Sequence, residues 1–354
     1  MDLLPGVRSH TTQTDRLKVH WLESGPDDGI PVVMVHGNLS TGRFFEHLWP
    51  EAPRVLRFIA PDMRGFGRTE SLDLDATRGL RDWSDDLHSL LVAIGVDQPV
   101  HLVGWSTGGA AISHYATDHG NVASLTYIDP VSPYGFGAVH ADGRPCFPDY
   151  AGSGGGTAAP DFVKALREKD AGSDSPFSFR NVMNAAYWNP EFRLIDERED
   201  LLVAEVLLSV IGDGGYPGDS TPSQNWPGVA PGTKGILNAL SPKYCNWSDI
   251  VDLDPKPPVL WTQGSIDAVI ADGSPWEVGT LGAAGMLPGW PGVDVVPPQP
   301  MVGQIRMVLK RYADAGGSVR SEMFEGSGHG PLFDAAKAWS AAFFDFIKTQ
   351  ETSA

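Results

Sequence analysis

Three residue types that together perform acyl transfer occur in this chain in an order that suits the chemistry: Ser106, Asp267 and His329. Ser106 stands in Gly104-Trp105-Ser106-Thr107-Gly108, between the apolar run at residues 100–103 and the small residues Gly109, Ala110 and Ala111. A G-x-S-x-G pentapeptide between a strand and a helix forms a nucleophile elbow, a tight turn that holds the serine in strained backbone geometry and presents its hydroxyl. The pattern alone is common in plain turns, and its weight here comes from the flanking runs. A serine hydroxyl is a poor nucleophile near neutral pH; it needs a base within hydrogen-bond reach, and the base needs an acceptor to orient it.

His329 lies in the glycine-flanked segment Gly328-His329-Gly330, directly after the strand-like run at 319–324, where neither core packing nor helix capping explains it. It is the candidate base, taking the Ser106 proton and later delivering it to the leaving group. Asp267, in Gly264-Ser265-Ile266-Asp267 after the preceding strand-like run, is the first candidate for the orienting acid. Asp129, ending the run at 124–129, is the alternative; its bland reading is a loop cap before Pro130. Ser132, Asp272 and Glu325 rank below both. The oxyanion of a tetrahedral intermediate needs two pre-positioned N–H donors. The residue after the nucleophile, Thr107, supplies one by backbone, and Asn38 in His36-Gly37-Asn38 is the natural second. Trp105, Leu39, Tyr187 and Trp188 are candidates to line a substrate pocket. His88, His101, His114 and His119 fall in helix-like or strand-like runs without metal-ligand spacing and read as structural or solvated. No metal and no cofactor is expected.

The elements that must carry these residues alternate between strand and helix. Residues 16–23 alternate, with Leu17, Val19 and Trp21 on one face, and predict an edge strand with one covered face. Residues 31–36, 57–61, 100–105, 124–129 and 258–264 are apolar without alternation, the pattern of parallel strands buried on both faces. Val35, Val103, Ile128 and Leu260 are then neighbours in the sheet core. Trp83, Leu87, Leu90, Leu91 and Ile94 recur at helical spacing, with Asp82, Asp85, Asp86 and His88 outside the stripe. The glycine-punctuated loop at 62–69 reads as a structural turn. Between 131 and 252 the rhythm stops: this segment predicts helices at 161–169 and 195–211 and collects Tyr187, Trp188, Trp226, Tyr244 and Trp247. It reads as a lid over the carboxyl ends of the strands, where ligands bind in such sheets, with most of its aromatics filling a small core of its own. A second irregular insertion, 271–300, suits a rigid loop beside the cleft. Helices are predicted at 301–315 and 335–347, the latter burying Trp339, Phe343, Phe344 and Ile347.

The 354 residues suffice for one large core carrying an insertion, with residues 1–130 and 253–354 forming the core and 131–252 the lid. With 26 basic against 44 acidic residues, the formal net charge of -18 opposes nucleic acid and anionic membrane as partners. A small, hydrophobic substrate is the expected partner. Residues 1–10 lack a basic region followed by an apolar one, and no stretch is apolar for long enough to span a bilayer, so a soluble cytoplasmic protein is expected. Two cysteines, Cys146 and Cys245, exclude a disulfide framework; two free thiols are the expectation in a reducing compartment, with a single clamp across the lid as the alternative.

His36-Gly37-Asn38, the Asp62-x-Arg64-Gly65-x-Gly67-x-Thr69 loop, the Ser106 elbow, Gly264-Ser-Ile-Asp267 and Gly328-His329 together resemble the α/β-hydrolase superfamily, in its lidded branch of esterases, lactonases, C–C hydrolases and cofactor-free haloperoxidase-like enzymes. The resemblance covers residues 16–130 and 256–348 and implies an α/β fold: a mostly parallel central sheet with helices on both faces and a large lid. Serine rather than aspartate at the elbow argues against the dehalogenase and epoxide hydrolase branches. The expected activity is hydrolysis of a carboxylic ester or lactone with an apolar part; cleavage of a carbon–carbon bond beside a ketone is the second reading, and a hydrolase-like small-molecule receptor the third.

Overall fold

The computed structural model describes residues 3–352. Strands β1 (Arg8–Gln13), β2 (Lys18–Ser24), β3 (Ile30–Val35) and β4 (Leu56–Pro61) lead into helix α1 (Arg81–Ala93), β5 (Val100–Trp105), α2 (Thr107–Asp118) and β6 (Val122–Ile128). The segment after β6 carries α3 (Pro160–Arg167), α4 (Phe179–Ala186), α5 (Asp196–Val206), the short strands β7 (Ile211–Gly212), β8 (Tyr216–Pro217), β9 (Ser220–Pro222) and β10 (Val229–Pro231), and α6 (Ile236–Ala239). Then follow β11 (Val259–Gly264), α7 (Val278–Ala283), α8 (Met301–Asp314), β12 (Val319–Phe324), α9 (Pro331–Asp334) and α10 (Ala336–Glu351).

Eight strands form one sheet in the order β1-β2-β4-β3-β5-β6-β11-β12. β1 and β2 run antiparallel to their neighbours, and the other pairings are parallel. Every residue of β5 and β11 is buried, which requires cover on both faces of the sheet. Val35, Val103, Ile128 and Leu260 are each fully buried on adjacent strands, although the row that runs straight across the sheet is Val33, Leu102, Leu125 and Val259. The carboxyl ends of β3, β5, β6, β11 and β12 are thereby gathered at one edge, where the loops with Asn38, Ser106, Asp129, Asp267 and His329 begin.

Several expectations need correction. The strand at 16–23 is not the edge: β1 pairs along it, and His20 and Leu22 on its other face are buried too. Asp82 and Asp86 are not outside the core, because guanidinium groups make their burial tolerable: Asp86 accepts from Arg16 Nε at 2.6 Å and Arg64 Nε at 2.8 Å, and Asp82 from Arg16 and Arg78. The helix predicted to reach 211 stops at Val206; Leu208 is 43% exposed, and the chain turns there into β7 and β8. In α10, Phe346 takes the buried position assigned to Phe344. Nor do the aromatics of 131–252 make a separate core. Trp188 and Trp247 join the main one, and Trp226 packs instead with Trp290 and Val278 of the 271–300 insertion. Cys146 and Cys245 are unpaired, and burial pushes both thiols up to about 12. Among the described residues no helix is long and apolar enough to cross a membrane.

Candidate active site

Ser106 occupies the turn between β5 and α2 with φ 55° and ψ −117°, left-handed backbone that a non-glycine residue adopts only under constraint. The constraint is a hydrogen-bonded bracket: Ser106 N–H donates to Ile128 O at 2.9 Å, and Ser106 O accepts from Gly109 N at 2.9 Å and Val131 N at 3.1 Å. The turn closes this tightly because Gly104 and Gly108 lack side chains; a Cβ on Gly104 would lie 2.5 Å from Gly108 O, and one on Gly108 2.2 Å from Val35 O.

His329 and Asp267 meet through another close approach. A Cβ on Gly264 would fall 1.8 Å from Gly328 O, so glycine at the end of β11 lets the two loops touch. His329 Nδ1 then lies 2.9 Å from Asp267 Oδ2. To donate there, Nδ1 carries the proton, which leaves Nε2 with its lone pair. Asp267 is held from three other sides: Oδ1 accepts from Val269 N at 2.7 Å and Ile270 N at 3.1 Å, and Oδ2 accepts from Gln263 Nε2 at 3.1 Å. Trp105 Nε1 donates to His329 O at 2.7 Å and fixes the histidine's backbone. Asp129 makes no hydrogen bond to His329; its Oδ1 accepts from Gly264 N at 2.7 Å. Among the described residues no hydrogen bond joins Ser106 Oγ to His329, yet both line one cavity. Such contacts commonly tighten only when substrate is bound.

The loop after β3 passes close to Ser106: a Cβ on Gly37 would sit 2.9 Å from Ser106 Cβ. His36 fixes this loop. Its Nε2 accepts from Met63 N at 2.9 Å, so Nδ1 holds the proton and donates to Gly37 O at 2.7 Å. Burial, only partly offset by that contact and by Asp62, lowers the His36 pKa to about 4, keeping the ring neutral. Leu39 is held at φ 47°. From α4's C-terminal end, Tyr187 Oη donates to Asn38 O at 3.0 Å and Leu39 O at 2.9 Å. The amides of Asn38 and Thr107 donate to no other group among the described residues.

The cavity over Ser106 measures about 380 Å³. Leu39, Trp105 and Ile270 line it from the core, Val131, Phe136, Phe162, Val182, Tyr187, Tyr216 and Leu240 from the segment 131–252, and Pro275, Trp276 and Leu281 from the 271–300 insertion. No Asp, Glu, Lys or Arg is among its lining residues. Phe177 and Trp276, 40% and 43% exposed, mark its mouth. Trp188 is outside the cavity: it is 1% exposed and packs behind, against Phe333 and Phe192. Gln263, and the hydroxyl of Tyr187 as a donor to the loop, gave no signal in the sequence, since both act through contacts made only by the fold.

A second Ser-His-Asp chain lies outside this cavity. Ser9 Oγ is 2.8 Å from His20 Nε2, and His20 Nδ1 is 2.7 Å from Asp62 Oδ2. Burial by itself would raise the Asp62 pKa, but His20 and the Arg68 N–H bring it below the ordinary value. Asp62 ties β2 to the loops at Gly42 and Arg68, while Ser9 is exposed on the edge strand.

The sequence matches the Alpha/beta hydrolase family over residues 32–342, and the chain belongs to that family. It is 32% identical over 145 residues to a cis-3-alkyl-4-alkyloxetan-2-one decarboxylase of Xanthomonas campestris pv. campestris, a match covering 38% of this chain and 45% of the relative. It is 37% identical over 98 residues to a 2-hydroxy-6-oxo-6-(2'-aminophenyl)hexa-2,4-dienoic acid hydrolase of Metapseudomonas resinovorans, covering 27% of this chain and 32% of that one. The chain thus spans less than half the length of these relatives. A solved esterase from Rhodococcus sp. ECU1013 has the same fold, with a TM-score of 0.60 at 17% identity over 98% of this chain and 99% of that one.

Proposed function

We propose that this protein is a serine hydrolase that cleaves a neutral carboxylic ester or lactone with a sizeable apolar part through an acyl-enzyme intermediate. Ser106 Oγ attacks the carbonyl carbon as His329 Nε2 takes its proton; Asp267 holds the imidazole in the required tautomer and steadies the imidazolium. The carbonyl oxygen, becoming an oxyanion, receives the backbone N–H groups of Asn38 and Thr107. His329 returns the proton to the departing alkoxide, and a water activated by the same imidazole hydrolyses the acyl-enzyme. The segment 131–252 acts as the lid, with the 271–300 insertion walling the other side of the cleft.

The observation that carries this reading is the 2.9 Å His329–Asp267 contact beside Ser106, at the floor of a cavity whose lining has no charged carboxylate, ammonium or guanidinium group. Desolvating an anionic substrate there without a cation is costly. The partial match to the dienoic acid hydrolase favours a second reading, cleavage of a carbon–carbon bond; the uncharged lining weighs against it, because that relative's named substrate is an acid. A panel of p-nitrophenyl esters and alkyl lactones of increasing chain length, run beside an anionic meta-cleavage dienoate, tests the choice. Turnover of neutral esters, rising with acyl length until the cavity is filled, is expected; faster turnover of the dienoate would overturn it.

A further inference from the structure

Asp129, weighed above as a rival acid, has an environment that the reaction just described leaves unused. It sits at the end of β6 with φ 42° and is fully buried. Strain of about 1–3 kcal/mol in such a residue persists only when the surroundings hold it. They do: Asp129 N donates to Thr262 O at 2.9 Å, and Oδ1 takes the Gly264 N–H. Its other oxygen, Oδ2, is buried and meets no N–H or O–H donor. Another carboxylate is close by: a carboxyl oxygen of Asp129, one of Asp267 and a ring nitrogen of His329 lie within 4.8 Å of one another.

Two buried carboxyl oxygens at that range need a proton between them, since like charges cannot both be held there. The site of the proton follows from the donors. Asp267 accepts four N–H groups, from Val269, Ile270, Gln263 and His329, whereas Asp129 accepts one. The charge therefore rests on Asp267. We infer that Asp129 is a neutral carboxylic acid whose Oδ2–H donates to Asp267, so that the acid end of the triad is a carboxyl pair sharing one proton, with Asp129 a positioning residue for the base. Burial, then the Asp267 charge, with the more distant Asp334 of α9 adding to them, holds the Asp129 pKa well above its ordinary value. By drawing electron density from Asp267, this O–H weakens the pull on His329 Nδ1–H and sets the acidic limb of the rate profile at lower pH than an unpaired aspartate would.

This inference rests on the catalytic roles proposed above, and its test separates the two. The infrared spectrum of the wild type at pH 7 is expected to contain a neutral carboxylic acid C=O band that is lost in Asp129→Asn. The thermal midpoint of Asp129→Asn should gain on the wild type as pH rises from 5 to 9, because the wild type must keep a proton that its unfolded chain has released. In rate profiles, Asp129→Asn, whose amide can still donate, keeps the acidic limb, and Asp129→Leu moves it up by about half a pH unit. No band difference together with a midpoint gap independent of pH overturns the neutral acid, even if Asp129→Leu does not fold. Coincident limbs for wild type and folded Asp129→Leu overturn the positioning role. A lost band in a protein whose Ser106 resists acylation would refute the catalytic roles while leaving the shared proton standing.

Discussion

Tyr187→Phe isolates one hydroxyl that joins the segment over the cavity to the loop beside Ser106. The Tyr187 ring is held by Trp105 at 5.4 Å and Phe179 at 5.9 Å, so phenylalanine keeps the packing. What disappears is the donor shared between Asn38 O and Leu39 O. Burial raises the Tyr187 pKa far above its ordinary value, so the hydroxyl is a donor throughout the working pH range. Leaving a buried carbonyl unpaired costs about 1–3 kcal/mol. If that cost fell only on the fold, the thermal midpoint would drop by a few degrees and the rate would stand. In the mechanism proposed here the same loop aims the Asn38 N–H, and removing an oxyanion donor outright lowers kcat by roughly 10²–10³. A loosened donor costs less. The expected fall in kcat is therefore about 10- to 100-fold, equivalent to about 1.4–2.7 kcal/mol, with KM within about threefold. Steady-state hydrolysis of a short p-nitrophenyl ester, with calorimetry on the same samples, reads both. A kcat within twofold of wild type beside a lowered midpoint would show that the hydroxyl only staples the loop, and would refute Asn38 as a donor.

Buried neutral histidines give a signature in acid. Burial lowers the pKa of His36 and His47 to about 4 and of His114 to about 3, from an ordinary 6.5. The unfolded chain then binds more protons between those values, so the stability is complete above about pH 6.5 and drains away as pH falls towards 4, by about 3 kcal/mol per histidine as an upper bound. The thermal midpoint measured from pH 7 to 4.5 should fall by at least about 5 °C; a flat profile would contradict the burial of these rings as neutral bases. His114, with neither ring nitrogen paired, is the clearest contributor. His114→Leu should keep the midpoint at pH 7 and shallow the acid slope, and an unchanged slope would clear His114 of the effect.

Local chemistry put Ser106, Asp267, Asn38 and Thr107 forward as candidates because each follows a buried strand at a glycine, and His329 because it stands in a glycine-flanked loop after β12; the strand ends converge in a parallel sheet. β1 was not legible: Arg8-Ser-His-Thr-Thr-Gln13 has no apolar alternation, and it becomes a strand by pairing along β2. Asp82 and Asp86 read as solvent-facing because their guanidinium partners, Arg16 and Arg64, come from elsewhere in the chain. Tyr187 and Trp188 are neighbours with equal claims by composition, yet only the first points into the cavity, since the end of α4 turns the second towards Phe333. The close approach of Gly264 to Gly328 is likewise a tertiary fact; the sequence offered two glycines and no sign that they touch.

Intact mass after exposure to a fluorophosphonate reads the reactivity of Ser106 itself, with Ser106→Ala and His329→Ala beside the wild type. A second Ser-His-Asp set is hydrogen-bonded from end to end, but its Ser9 is exposed on an edge strand outside the cavity that Ser106 lines. One phosphonyl adduct is expected on the wild type, none on Ser106→Ala, and much slower labelling of His329→Ala. An adduct that survives in Ser106→Ala, or a folded wild type that takes none, would contradict it.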